Sequence, residues 1–267
     1  ISISNGSDFL PNSILVKGFD GTFNKILNNL FILFHLNSIS LPFLLPLLYL
    51  VRNYENKKIS ILLFIISFLL ILQIFFASIG WFMRYEAWFV IIFLICLFVL
   101  SKELKSNDKR LLLVLFLIII SFFRLYYMIY LPATSSNIYE VNIISGIFLK
   151  EYYDNKTIVI HDLGGPSYYA DVNIIDLNGL ATKEIQRELR NNNLTNEFVS
   201  EFTKDADIAI VFNDPERKLF NTHDFNWIYI GYYKINNNII STYDKVYVYA
   251  IKENPEELKE NFIEYFS

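Results

Sequence analysis

Cysteine is nearly absent from this chain: Cys96 stands alone among 267 residues, which excludes an intrachain disulfide and any cysteine metal site. Histidine is scarce as well. His35, His161 and His223 lie far apart and form neither HExxH nor His-x-His, so no histidine metal site is expected. The glycine-rich run Asp162-Leu163-Gly164-Gly165-Pro166 lacks both GxGxxG and the P-loop lysine, which removes the usual nucleotide-binding templates, and no cofactor is expected. An excess of one charge is missing too. With 23 Lys and Arg against 27 Asp and Glu, the net charge of -4 leaves no basic footprint for nucleic acid. The chain opens Ile1-Ser2-Ile3-Ser4 without an initiator Met, a basic n-region or a signal peptide, and the expectation is a C-terminal part of a longer polypeptide.

What is plentiful is apolar surface. Hydrophobic residues make up 54% and aromatics 17% of the chain, more than an ordinary water-soluble domain carries. The excess sits in the first half. Residues 26–51, 59–79, 85–100 and 111–131 are apolar runs of about the length that crosses a hydrocarbon core of roughly 30 Å at 1.5 Å per residue. The first is interrupted by Asn28, Asn29, His35, Asn37, Pro42 and Pro46 and reads as one kinked crossing. The connecting loops alternate. Arg52, Lys57 and Lys58 make one basic, and Lys102, Lys105, Lys109 and Arg110 another. The positive-inside rule puts both in the cytoplasm and everything after residue 131 outside. The fold class expected is therefore a membrane α-helical bundle of about four transmembrane helices, residues 1–132, followed by a small soluble α/β domain, residues 133–267.

Between the second and third runs lies the notch Gly80 to Trp88, GWFMRYEAW. Trp81, Phe82, Tyr85 and Trp88 match an interfacial aromatic belt. Arg84 and Glu86 among them either anchor a hairpin in the headgroups or bind an anionic headgroup or polar substrate. Arg124, inside the fourth run and followed by Tyr126, Tyr127 and Tyr130, either snorkels to the nearer surface or faces the bundle and meets a phosphate there, where its fork gives bidentate bonds that Lys cannot.

In the second half, residues 132–136 read as a linker and 137–153 as an amphipathic helix with Ile138, Val141, Ile144, Phe148 and Tyr152 on one stripe. Residues 157–161, a β-branched run, predict a strand buried on both faces. Further strands are expected at 173–176, 207–212, 227–234 and 245–251, and helices at 182–190 and 195–204, each opening on Thr as N-cap. A last helix runs to Phe266 from Asn254-Pro255-Glu256-Glu257. The alternation implies a parallel core, closed by an antiparallel hairpin through Asn236-Asn237-Asn238. Ligands of open α/β sheets bind beyond the carboxyl ends of the strands, where Asp162, Asp176 and Asn213-Asp214 fall. Asp and Asn also favour strand-to-turn junctions for backbone reasons, so each has a structural reading beside the functional one.

The run DLGGPSYYADVNIIDLNGL, residues 162–180, resembles the C-terminal region of bacterial GT-C-type membrane glycosyltransferases, nearest in character to arabinofuranosyltransferase-like and mannosyltransferase-like proteins. Asp162, Gly164, Ser167, Tyr168, Tyr169, Asp176, Leu177, Gly179 and Leu180 carry the likeness, with Arg84-Tyr85 for an upstream turn. Gly165-Pro166 departs from the pattern. The resemblance implies transfer of a sugar from a polyprenyl-phosphate-linked donor to a cell-envelope glycan, lipid or protein acceptor, in a multi-pass protein of the bacterial cytoplasmic membrane whose C-terminal domain is extracytoplasmic. The general base of such enzymes is an acidic residue of the first outer loop, for which no residue here stands. On that reading Arg84 and Arg124 flank the donor phosphate, Glu86 orients the sugar or Arg84, and the soluble domain caps the site and helps bind the acceptor; Tyr85, Asp162 and Asp176 are substrate-binding residues with them, and the partners are donor, acceptor and membrane lipids. The competing readings are a membrane-anchored module that binds a saccharide or protein without catalysis, and a transporter subunit, against which the lack of an inverted repeat counts.

Overall fold

The computed structural model describes residues 57–76, 128–212, 225–241 and 243–266, together with Leu27, Trp88, Ile91, Ile95, Asn107, Leu111 and Val114. The chain divides into two compact units, one made of Ile1–Val16 with Tyr130–Ser267 and the other of Lys17–Ile129.

In the second of these units the long described element is helix α1, Lys57–Phe76. The expectation of about four transmembrane helices is overturned among the described residues, none of whose helices is long and apolar enough to cross a membrane; most of the runs 26–51, 85–100 and 111–131 lies outside those residues. Helix α1 begins on Lys57 and Lys58. That leaves residues 59–76, about 27 Å of helix against the roughly 30 Å of a hydrocarbon core, and a buried Ser67 interrupts it. What the structure does describe in detail is a small mixed α/β unit.

That unit opens with α2, Leu131–Ile138, over residues expected to be a linker. Pro132 suits the first helical turn because the N–H it lacks would have no partner there. A π turn, Tyr139–Ile143, joins α2 to α3, Ile144–Tyr152. Five strands follow: β1 (Thr157–Ile160), β2 (Asn173–Asp176), β3 (Ile208–Val211), β4 (Ile228–Lys234) and β5 (Lys245–Ala250). Between them lie α4 (Gly164–Tyr169), α5 (Lys183–Arg190) and α6 (Asn196–Thr203), and α7 (Pro255–Phe266) ends the chain.

The sheet order is β2-β1-β3-β5-β4. Strands β2, β1 and β3 are parallel, β5 runs antiparallel to β3, and β4 antiparallel to β5. Alternation along each strand divides the core into two layers. Ile158, Ile160, Ile208, Ile210, Val246 and Val248 meet Phe148 and Leu149 of α3 and Leu258 of α7. Val159, Ala209, Val211 and Tyr249 meet Leu177, Ile185 of α5 and Val199 of α6. Each fully buried branched side chain contributes about 1.5–3 kcal/mol. The helices on both faces are why β1 and β3 are unbroken apolar runs.

Candidate functional site

The two halves of the Asp162–Leu180 run close on each other at the carboxyl edge of the sheet. Ile160 pairs with Asp176 in the parallel β1–β2 ladder. One step on, the Asn178 side-chain amide donates to the His161 carbonyl, and Leu177 N–H donates to Ile160 O at 2.9 Å. Residues 16 and 17 positions apart in sequence thus become neighbours because β1 and β2 end level.

Asp176 is fully buried. Its Oδ1 accepts the Asn178 N–H at 2.9 Å, and its Oδ2 accepts those of Leu180 at 2.5 Å and Ala181 at 3.0 Å. Its own N–H donates to Thr182 Oγ1 at 2.8 Å. The run Asp-Leu-Asn-Gly-Leu is therefore a turn wound round one carboxylate. Gly179 serves it with φ of 70°, and a Cβ there would come within 2.8 Å of Gln186 Cα. Burial raises the Asp176 pKa, with three backbone N–H bonds pulling the other way and the nearby Asp162 charge adding a smaller push. Its acceptor capacity is directed into the fold.

Asp162 is the reverse case. It is exposed, and its Oδ1 accepts the Gly164 N–H at 3.2 Å. Beside it, Asn142 Oδ1 on the π turn is buried without a hydrogen-bond partner. A Cβ on Gly164 would stand 2.7 Å from Asn142 Oδ1 and 3.6 Å from Asp162 Oδ1, so the two oxygens flank that glycine. One turn along α4, Tyr168 is 81% exposed and meets Tyr169 edge-on at 5.0 Å. An exposed carboxylate and an open aromatic ring are the two groups that suit a hydroxyl-bearing ligand, the one accepting from its O–H groups and the other covering its C–H face.

Gly165 has a packing role. A Cβ on it would fall 1.6 Å from Asn142 O, so α4 reaches the π turn backbone to backbone.

His161 completes the edge. Burial lowers its pKa to about 4, so its imidazole is neutral at pH 7. Its Nδ1 accepts the Phe212 N–H at 3.1 Å.

Of the expected binding residues, Asp162 and Asp176 come together here. Arg84, Tyr85, Glu86 and Arg124 lie outside the described residues, as do Asn213 and Asp214. Sequence reasoning did not single out Asn142 or the His161 bond to Phe212. The first has no sequence mark, since the π turn that aims it arises from packing. The second could be found from a polar residue one step beyond a buried strand.

A family model described as a domain of unknown function (DUF8728) matches residues 136–252. This stretch reaches from the end of α2 to just past β5 and contains the whole sheet. No curated protein and no solved structure matches the chain.

Proposed function

We propose that this chain belongs to a glycosyltransferase that moves a sugar from a polyprenyl-phosphate donor to a cell-envelope acceptor, with the α/β unit holding the acceptor. The observation that carries the reading is the convergence of both halves of the Asp162–Leu180 run at the carboxyl edge of β1 and β2. Within that edge Asp162 is the carboxylate open to a ligand and Asp176 the one that holds the turn. Asp162 accepts an acceptor hydroxyl and Tyr168 covers the adjoining sugar face.

A second reading is a saccharide-binding module without catalysis. It is favoured by the commitment of Asp176 to backbone donors, which leaves Asp162 without a second free carboxylate among the described residues of this edge to share acid and base roles.

The test is the full chain incubated with polyprenyl-phosphate-linked sugars and an oligosaccharide acceptor, with release of polyprenyl phosphate as the readout. Transfer is expected, and Asp162→Asn lowers it at least tenfold while the thermal midpoint is unchanged. Saccharide binding without release supports the second reading. Neither binding nor release overturns both.

A further inference from the structure

The described residues cover the sheet face carrying α5 and α6 unevenly. Those helices pack over Val159, Ala209 and Val211 of β1 and β3, whereas Tyr229 and Tyr232 of β4 are 52% and 45% exposed. A bulge between Tyr229 and Gly231 explains why two tyrosines three positions apart share a face: Tyr229 lies opposite Tyr249, and Tyr232 opposite Tyr247. The rings form one row. Tyr232 to Tyr247 is 5.7 Å between centroids, Tyr247 to Tyr229 6.4 Å, Tyr229 to Tyr249 5.7 Å, and Tyr249 to Trp227 5.7 Å. On the other face Tyr233 is stacked on Phe266 of α7 at 4.5 Å. There the aromatics have a partner within the fold.

The row ends in charge. Lys234 and Lys245 are paired directly across the β4–β5 ladder, in the same register set as Tyr232 and Tyr247, so both project from the aromatic face. Lys245 Nζ lies 4.4 Å from the Tyr232 ring centre. Like charges placed opposite each other on a ladder are destabilising, and neither ammonium forms an ion pair with a described residue. An anion at that end would relieve the repulsion. Because β4 runs the same way as the parallel strands, the lysine end lies at the carboxyl edge of the sheet, the edge that carries Asp162.

We propose that this face binds an oligosaccharide bearing an anionic group, with sugar rings lying on Tyr229 and Tyr232 and a carboxylate, phosphate or sulfate held between Lys234 and Lys245. Pyranose rings present flat C–H faces and a rim of hydroxyls, which match rings that are apolar in the middle and carry a phenol at the edge. A nucleic acid would place a phosphate beside every stacked base, and this row has cations at one end only. Protein interfaces are depleted in lysine, whereas this row ends on Lys234 and Lys245. The inference rests on the saccharide reading above and adds a second contact surface, with a charge preference, to it.

The experiment is calorimetric titration of the full chain with a hexagalacturonate, a neutral glucan hexasaccharide and hexathymidylate at low salt. The hexagalacturonate is expected to bind at least fivefold tighter than the neutral sugar. Lys234→Gln with Lys245→Gln should bring binding of the hexagalacturonate down to that of the neutral sugar. Tyr229→Leu and Tyr232→Leu, which keep apolar bulk at the sites, should each weaken both sugars at least tenfold. Absence of millimolar sugar binding, indifference to the tyrosine variants, or tighter binding of hexathymidylate overturns the proposal. So does a dimer that Tyr229→Leu dissolves. If Asp162→Asn abolishes transfer with hexasaccharide binding intact, the two sites are separate. If sugar binds this face but no transfer is ever seen, the enzyme reading fails while this one stands.

Discussion

His161 Nδ1 accepts the backbone N–H of Phe212 at 3.1 Å, and their rings lie 5.9 Å apart at 28°. This bond ties the chain just beyond β1 to the chain just beyond β3, where the sheet ladder has ended and both backbones turn away.

The bond requires the unprotonated imidazole, and stability should report it. Folding lowers the His161 pKa to about 4 from 6.5, so between those values the unfolded chain carries the extra proton. The contribution is complete above pH 6.5 and is lost as pH falls, by about 1.4 kcal/mol per pH unit and about 3 kcal/mol in all by pH 4. Asp176, whose pKa is raised by burial, acts in the opposite direction: its contribution declines as pH rises through the acid range. Comparing wild type with His161→Gln isolates the imidazole. The difference in unfolding free energy should change with pH between 6.5 and 4, and a flat difference contradicts the assignment.

Gly165 should tolerate no side chain. A Cβ there falls 1.6 Å from Asn142 O, a backbone atom that can move only if α4 leaves the π turn. Gly165→Ala is expected to cost about 3 kcal/mol or more in chemical denaturation. An unchanged midpoint would mean that α4 docks differently.

Asn137 fastens the start of the unit to the β4–β5 connection. It is fully buried, donates to Asn236 O and accepts from Ile239 N–H, both at 2.8 Å. Glu140, one turn on, accepts the Asn236 N–H at 2.7 Å. Asn137→Ala removes two bonds from a closed site and should destabilise by about 2 kcal/mol. Hydrogen exchange should accelerate at the Ile239 amide first.

The strands were legible because their causes are local. Runs such as Ile158-Val159-Ile160 and Ile208-Ala209-Ile210 are β-branched and apolar throughout, and the observed strands fall within a residue of those expected. Helix α4 was not legible. Gly164-Gly165-Pro166 reads as turn punctuation, and it becomes helical because Gly165 lets it settle against Asn142, a contact that exists only once α3 is in place. Among the described residues no membrane-spanning helix is found, for a related reason: an apolar run states composition, and whether it crosses a bilayer depends on one helix carrying it far enough. The aromatic row was half visible. Tyr229, Tyr232, Tyr247 and Tyr249 can be read off the chain, but strict alternation would put Tyr229 and Tyr232 on opposite faces, and the bulge that reunites them comes from the pairing with β5.

Thr182 and Thr195 separate what a sequence pattern says from what it means. Both precede a helix and both were expected to cap it. Thr195 does so: its Oγ1 accepts the Phe198 N–H at 3.2 Å. Thr195→Ala should cost about 1 kcal/mol, the usual value of such a cap. Thr182 has the N-cap position without a side-chain cap bond. Its Oγ1 accepts the N–H of buried Asp176 at 2.8 Å, a donor with no water to replace the loss. Thr182→Ala should therefore cost more, about 2 kcal/mol, and Thr182→Ser should restore most of it. The two alanine variants should also differ in where they loosen the chain. Hydrogen exchange should rise at the start of α6 for Thr195→Ala, and across the amides of Asn178, Leu180 and Ala181 for Thr182→Ala, because those three are held by the carboxylate that Thr182 steadies. Equal costs for the two, or no change around Asp176, would mean that Thr182 is an ordinary cap and that the turn beside Asp162 is held by other means.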